Sequence, residues 1–291
     1  MLSSQVSEII LTVDTKPGKG RFAQGWDEYQ KAFHNLLIAD IQPNYRVKII
    51  QVDYSNETKA KVAAYFFGTK TIPEKDFRGG PFYVYFFGIY TAINNLVFHL
   101  DSDVLLGGQS TTWVTEAIDR LRNDVNCFIV SPLPGPPHPD DVVIGQSVAK
   151  KMAPYTYLLN GMSTRLFMTD KSKFELHKLK LKQPDLRSTA KAIVEKNPAA
   201  ELPEVLISDY MARHQYKRID FLGTGTGLWS LHPPYRSKLF YEELPKIIHR
   251  IETNDLPPQQ LGFYDIVDEV FDWAEARKAL SKNRWWKRLL Q

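Results

Sequence analysis

Asn95-Leu96-Val97-Phe98-His99-Leu100-Asp101-Ser102-Asp103-Val104-Leu105-Leu106-Gly107-Gly108 is the stretch on which the reading of this chain turns. An apolar run stops at two carboxylates one residue apart, then resumes and ends on a glycine pair. Read as a buried strand over 97–100, the run delivers Asp101 and Asp103 to its carboxyl end, where ligands bind in open α/β sheets. Residues i and i+2 of a strand share a face, so the two side chains converge. Convergent carboxylates repel unless a cation or ligand donors lie between them, and hard oxygen ligands suit Mg²⁺ or Mn²⁺. The alternative is a turn whose Asp residues cap a helix. The apolar strand in front of the pair favours the metal site.

Working outward, 291 residues suffice for one large or two small domains with a substantial core. An apolar content of 43% and a charged content of 24% describe an ordinary globular chain. The formal net charge of +4 is too mild to argue for a nucleic-acid partner. It suits a polyanionic small ligand or an anionic membrane surface. A single cysteine, Cys127, excludes a disulfide framework within the chain and favours a reducing compartment. With neither a signal-peptide pattern nor an apolar run of membrane-spanning length, the expected location is cytoplasmic.

Strand and helix patterns alternate over the first 130 or so positions. Residues 6–13, 46–52 and 125–131 read as strands; 26–38, 58–67 and 82–94 read as helices. That alternation predicts an α/β fold with a mostly parallel, doubly wound central sheet flanked by helices. Beyond a Pro-rich loop at 132–139 the pattern is less regular. Residues 163–169 read as a strand, 171–182 as a basic helix or loop, 186–196 and 205–215 as helices, and 218–222 as a short strand. No linker splits the chain, which predicts one domain over 1–270 in two parts, 1–131 and 132–270, followed by a C-terminal helix over 271–291.

Together these features resemble nucleotide-sugar glycosyltransferases of the GT-A fold, a single Rossmann-like domain. Asp101-Ser102-Asp103 resembles that family's Asp-x-Asp signature, which holds a divalent cation bridging the donor diphosphate. Ile49-Ile50-Gln51-Val52-Asp53-Tyr54-Ser55-Asn56-Glu57-Thr58 is similar to the second-strand segment of family 2 members, whose terminal Asp contacts the base. It departs from the commoner Asp-Asp-Gly-Ser form. The resemblance implies donor contacts from Asp14 and Asp53. Asn160-Gly161-Met162-Ser163-Thr164-Arg165-Leu166-Phe167-Met168 looks like the strand beside the acceptor pocket, and Asp209 stands where family 2 members carry the acidic pair containing the catalytic base. His232-Pro233-Pro234-Tyr235-Arg236-Ser237-Lys238 is similar to family 8 retaining enzymes, with a late His on the metal and a Lys on the diphosphate. The Gly-Pro and Pro-Trp residues of that family's motif are absent.

The expectation is therefore a metal-dependent glycosyltransferase. It would move a sugar from a nucleotide diphosphate, with UDP as the expected carrier, to a glycan or lipid-linked acceptor. Asp101, Asp103 and His232 would hold Mn²⁺ or Mg²⁺; Lys238 and Arg236, with Lys16 or Lys19, would meet phosphate oxygens; Asp209 would be the general base. The Gly223-Thr224-Gly225-Thr226-Gly227 segment is expected to be a mobile loop able to close over the donor. Each residue has a plainer reading: His232 shaping a turn before two prolines, Asp209 facing solvent on its helix, and the glycine segment merely linking strands.

Six Lys or Arg fall between Arg277 and Arg288, interleaved with Trp285 and Trp286. Such a tail fits peripheral attachment to an anionic membrane, or a packed terminal helix with a solvated basic face. Competing functions are a haloacid-dehalogenase-like phosphatase, whose Asp-x-Asp also follows an apolar strand, a sugar nucleotidyltransferase, and a degenerate GT-A module that only binds.

Overall fold

A computed structural model describes residues 2–17 and 26–282. Lys19 and the rest of the basic glycine loop after Pro17, and the tail from 283 onward, lie outside them.

The first unit is a two-stranded parallel sheet. Strand β1 (Ile10–Val13) pairs with β2 (Lys48–Gln51), with Ile10 opposite Lys48 and Val13 opposite Gln51. The crossover contains α1 (Trp26–Leu36), which runs through a π-turn at Leu37–Ile41 into the short α2 (Gln42–Asn44). Helix α3 (Asn56–Phe67) opens behind Ser55, whose hydroxyl caps the Thr58 N–H, and stops at Gly68 in the left-handed region. Helix α4 (Tyr83–Thr91) then leads to β3 (Leu96–Leu100) and, after the Asp101–Asp103 turn, to β4 (Leu105–Gly107).

The remaining elements are α5 (Trp113–Asn123), β5 (Cys127–Pro134), β6 (Val148–Ala153), β7 (Thr156–Leu159), β8 (Leu166–Asp170), α6 (Lys173–Leu176), α7 (Leu186–Val194), α8 (Pro203–Arg213), β9 (Lys217–Phe221), β10 (Trp229–Leu231), α9 (Lys238–Glu252) and α10 (Ala274–Lys282). Eight strands form one mixed sheet in the order β3-β8-β5-β9-β7-β6, with β10 lying on β5 and carrying β4.

The fold is mixed α/β, but the expectation of a mostly parallel sheet is corrected. Within the large sheet only β5–β9 and β5–β10 run parallel; the β3–β8, β5–β8, β7–β9, β6–β7 and β4–β10 pairings are antiparallel. Parallel neighbours need a long crossover, whereas antiparallel ones need only a tight turn. Strands β6 and β7 are joined through Pro154-Tyr155 alone, with Tyr155 at a φ of 47°. Strand β8 then folds back between β3 and β5.

Both faces of the sheet are covered. Phe66, Phe86, Phe128, Phe167, Phe174 and Tyr210 pack α3, α4 and α8 onto one side. Trp113, Val114, Ala117 and Leu121 of α5 meet Cys127, Val130, Ile219 and Phe221 on the other. A further cluster joins β7 and β10 to α9 and to Phe271, Trp273 and Ala276. Each fully buried aromatic side chain contributes about 1.5–3 kcal/mol of hydrophobic stabilisation, so the clusters hold the strand ends that carry the polar residues below. No helix among the described residues is long and apolar enough to cross a membrane.

Candidate functional site

Three strand ends meet the residues singled out by sequence. Asp101 follows β3 directly, and its N–H donates to the Arg165 carbonyl at 2.7 Å. The Val104 N–H reaches back to the Asp101 carbonyl at 3.2 Å, so the two acids sit on a tight turn rather than along one strand face. The i, i+2 convergence expected of a strand is therefore replaced by turn geometry. The Asp101 carboxylate accepts the Tyr85 hydroxyl at 3.0 Å and lies 3.1 Å from His99 Nε2. Asp103 instead pairs with the Arg236 guanidinium, and its Oδ1 is buried with no hydrogen-bond partner.

His232 comes to the same place through the sheet. Leu231 of β10 pairs with Leu105 of β4 in antiparallel register, so His232 leaves β10 at the end of the pair where Asp103 and Val104 lead into β4. His232 is 3% exposed. Its Nδ1 is 2.9 Å from Asp265 Oδ1, and its Nε2 is buried without a partner. The ring stacks on Tyr264 at 5.6 Å between centroids. Burial pushes the Tyr264 phenol up to about 12, with Arg165 and Arg218 acting to lower it and Asp265 and Asp101 to raise it. Tyr264 thus stands among the charges from the β3 turn, β9 and the His232 segment. Among the described residues no group of three His, Cys, Asp or Glu side chains is already gathered as a metal site. Asp101 is engaged by Tyr85 and His99, and one oxygen of Asp103 by Arg236.

A second cluster occupies the ends of β1 and β2. Asp14 accepts the Tyr54 hydroxyl at 2.7 Å and pairs with the buried Lys75 at 3.0 Å. Lys16 pairs with Glu74 and lies 4.8 Å over the Tyr54 ring; Lys59 reaches Glu74 at 3.1 Å. Burial works to raise the Glu74 carboxyl, but Lys16 and Lys59 outweigh it and hold it below its ordinary value. Asp53 is exposed and turned to local work, accepting the Ser55 N–H at 2.8 Å and the Thr58 hydroxyl at the start of α3. The Thr58 hydrogen bond leads in holding its carboxyl below the usual range.

Helix α4 joins the two clusters. Tyr83 donates to the Asp53 carbonyl at 2.6 Å, and Tyr85, two residues on, donates to Asp101. Both phenols are raised, first by burial. Glu204 and Thr164 also act on Tyr85, and the Thr164 hydroxyl lies 3.4 Å from Glu204 Oε2.

Glu204 is the residue that sequence reading missed. The helix expected over 205–215 begins at Pro203, a position where proline is well suited to the first turn, and so it includes Glu204. Asp209 lies five residues further along α8, where its partly exposed carboxylate pairs with Lys182. The structure therefore gathers Glu204, not Asp209, with Thr164, Tyr85 and Asp101. Lys238, almost fully exposed at the start of α9, lies 3.6 Å from Glu242 and does not join the cluster.

The glycine segment 223–227 is tied by hydrogen bonds to the connection between β4 and α5 and to α5 itself. Glu116 accepts the Thr224 hydroxyl at 2.7 Å, Thr226 accepts the Gln109 N–H at 3.1 Å, and the Gly227 carbonyl accepts the Ser110 N–H at 3.0 Å. A side chain at Gly108, at a φ of 78°, would come within 2.2 Å of the Gly227 carbonyl oxygen. The lack of a side chain at Gly108 permits this close approach between the two connections.

No family model matches the chain, and no curated protein sequence matches it either.

Proposed function

We propose that the chain is a metal-dependent glycosyltransferase of GT-A type, taking a nucleotide diphosphate sugar as donor. The observation that carries this reading is the pair of orphaned buried atoms, Asp103 Oδ1 and His232 Nε2, on segments that the β4–β10 ladder sets side by side. Buried polar atoms without partners are rare and call for a reason. Here both belong to residues whose chemistry suits a divalent cation. Asp265 on the far nitrogen of His232 supplies the carboxylate–histidine arrangement that orients imidazole ligands.

Asp103 and His232 would hold the cation, with Asp101 next to them on the turn. Carboxylates suit Mg²⁺ and Mn²⁺ alike, while an imidazole shifts the preference to Mn²⁺. A cation held there would supply Lewis-acid stabilisation of the charge on a departing diphosphate. The protein's own groups do the rest. Arg236 beside Asp103 offers a planar fork suited to phosphate oxygens. Asp14, Tyr54 and Lys75 form a fixed polar wall at the ends of β1 and β2 for the nucleoside side of the donor. Tyr85, held by Asp101, fixes one side of the space between the Asp-x-Asp turn and α8. Glu204 Oε2 is the carboxylate available to take a proton from an acceptor hydroxyl on that side.

A thermal-shift screen of nucleoside diphosphates with and without Mn²⁺ tests the reading, because a ligand selective for the folded state raises its stability. A shift for UDP only in the presence of Mn²⁺ is expected; no shift for any nucleoside diphosphate would remove the proposal.

A further inference from the structure

Helix α7 presents its apolar side outward. Steps of about 100° per residue gather Ile193, Leu186, Ala190 and Val194 into one stripe on the helix. These side chains point to solvent: Leu186 is 91% exposed, Ile193 68% and Val194 65%, while Ala192 on the opposite side is fully buried. That buried side packs on Phe77 and Leu202. A surface helix ordinarily does the reverse, burying its apolar stripe and wetting its polar one. The exposed run continues before the helix with Leu176 and Leu181.

The charges around the stripe are mostly basic. Residues 176–196 hold six Lys or Arg against two acids, Asp185 and Glu195. Arg187 and Lys191 border the stripe along the helix. Lys180 and Lys196 are exposed at its approaches; Lys178 is anchored on the Tyr65 carbonyl and Lys182 on Asp209. Asp185 is occupied in capping α7, accepting the Ser188 N–H at 3.0 Å, and Lys191 lies 3.9 Å from Glu195.

We propose that this face of α7 lies on an anionic lipid surface. An apolar stripe with basic neighbours is the pattern of a helix resting in the plane of a membrane, its side chains in the headgroup and acyl boundary and its cations on the lipid phosphates. A second copy of the chain fits less well, because an antiparallel two-fold contact through the stripe would set the basic border of one helix, Arg187 and Lys191, along the basic border of the other. The surface does not depend on the proposed activity. It does have a consequence for it: α7 packs through Ala192 on Leu202, next to the first turn of α8 that bears Glu204. Membrane contact at α7 sets the acceptor side of the molecule close to the lipid.

The test is co-sedimentation of the full chain with vesicles of pure phosphatidylcholine and of phosphatidylcholine with phosphatidylglycerol. Wild type is expected to bind the anionic vesicles, less at high salt, and to bind the neutral ones weakly. Leu186→Ser with Ile193→Ser leaves the tail from 271 intact and is expected to lower binding at least about tenfold, with an unchanged melting temperature. A bimane placed through Ala190→Cys is expected to shift to the blue on anionic vesicles only. Equal binding by wild type and the double variant, no binding by wild type, or a dimer in solution that the double variant abolishes would each overturn the proposal.

Discussion

His232 sets Nδ1 at 2.9 Å from Asp265 Oδ1 and keeps Nε2 buried and unpartnered. With Nδ1–H donating to the carboxylate, the lone pair of Nε2 is left for a ligand. Asp265 is more than half exposed and contributes by orienting the ring. Asp265→Ala is therefore expected to weaken Mn²⁺ affinity by about 10–100-fold, with His232→Ala weakening it further. Titration of Mn²⁺ by calorimetry measures both; unchanged affinity in His232→Ala would return this residue to a purely structural role.

Glu204 and Asp209 lie on the same helix but keep different company, the first beside Thr164 and Tyr85, the second beside Lys182. Glu204→Gln is expected to depress kcat by about 10²–10⁴ while UDP affinity stays near that of wild type. Asp209→Asn is expected to change kcat by less than about threefold, because its carboxylate pairs with Lys182 and makes no contact with Thr164 or Tyr85. The reverse pattern in steady-state kinetics would restore Asp209 as the base.

How much of this was legible in the sequence depends on how local each cause is. The run 97–100 ending at Asp101 announced β3, because an apolar strand and a polar stop are written in neighbouring residues. The caps at Ser55 and Asp185 are equally local. The sheet's direction was not legible, since β8 joins β3 and β5 only through pairings set by the whole chain. His232 could be suspected from its segment, but its place at the same end of the β4–β10 pair as Asp103 comes from a register that spans more than a hundred residues. Glu204 carried a usable signal in Pro203, whose preference for the first helical turn marks the helix start two residues earlier than the apolar pattern does.

Arg218 and Asp220 form a buried pair on β9, with Nε–Oδ1 at 2.8 Å and Nη2–Oδ2 at 2.6 Å. Removing one partner leaves an uncompensated charge in the interior. Asp220→Ala is expected to cost about 3–5 kcal/mol in urea unfolding. Replacing both residues by Leu and Met is expected to cost less than the single change; a larger loss in the double variant would show that the pair itself contributes stability.

His214 stacks on His177 at 4.1 Å between centroids. Burial first, then His177, Arg213 and Lys180, hold its imidazole below its ordinary value of 6.5. The unfolded chain therefore takes up this proton before the folded one does. Stability is fully present above 6.5 and is lost as pH falls through that value toward the lower folded one. His214→Phe is expected to flatten the dependence of Tm on pH between about 7 and 5. A variant whose profile tracks wild type across that window would exclude the pair as its source.

A divalent cation held by Asp103 and its neighbours is the proposed requirement for donor binding. Calorimetric titration of UDP into wild type and Asp103→Ala, each with and without Mn²⁺, tests it most directly. The expected result is UDP binding by wild type in Mn²⁺ only, weakened at least about tenfold in Asp103→Ala while its far-UV circular dichroism stays that of wild type. UDP binding of equal affinity in both proteins, or binding indifferent to Mn²⁺, would contradict the claim.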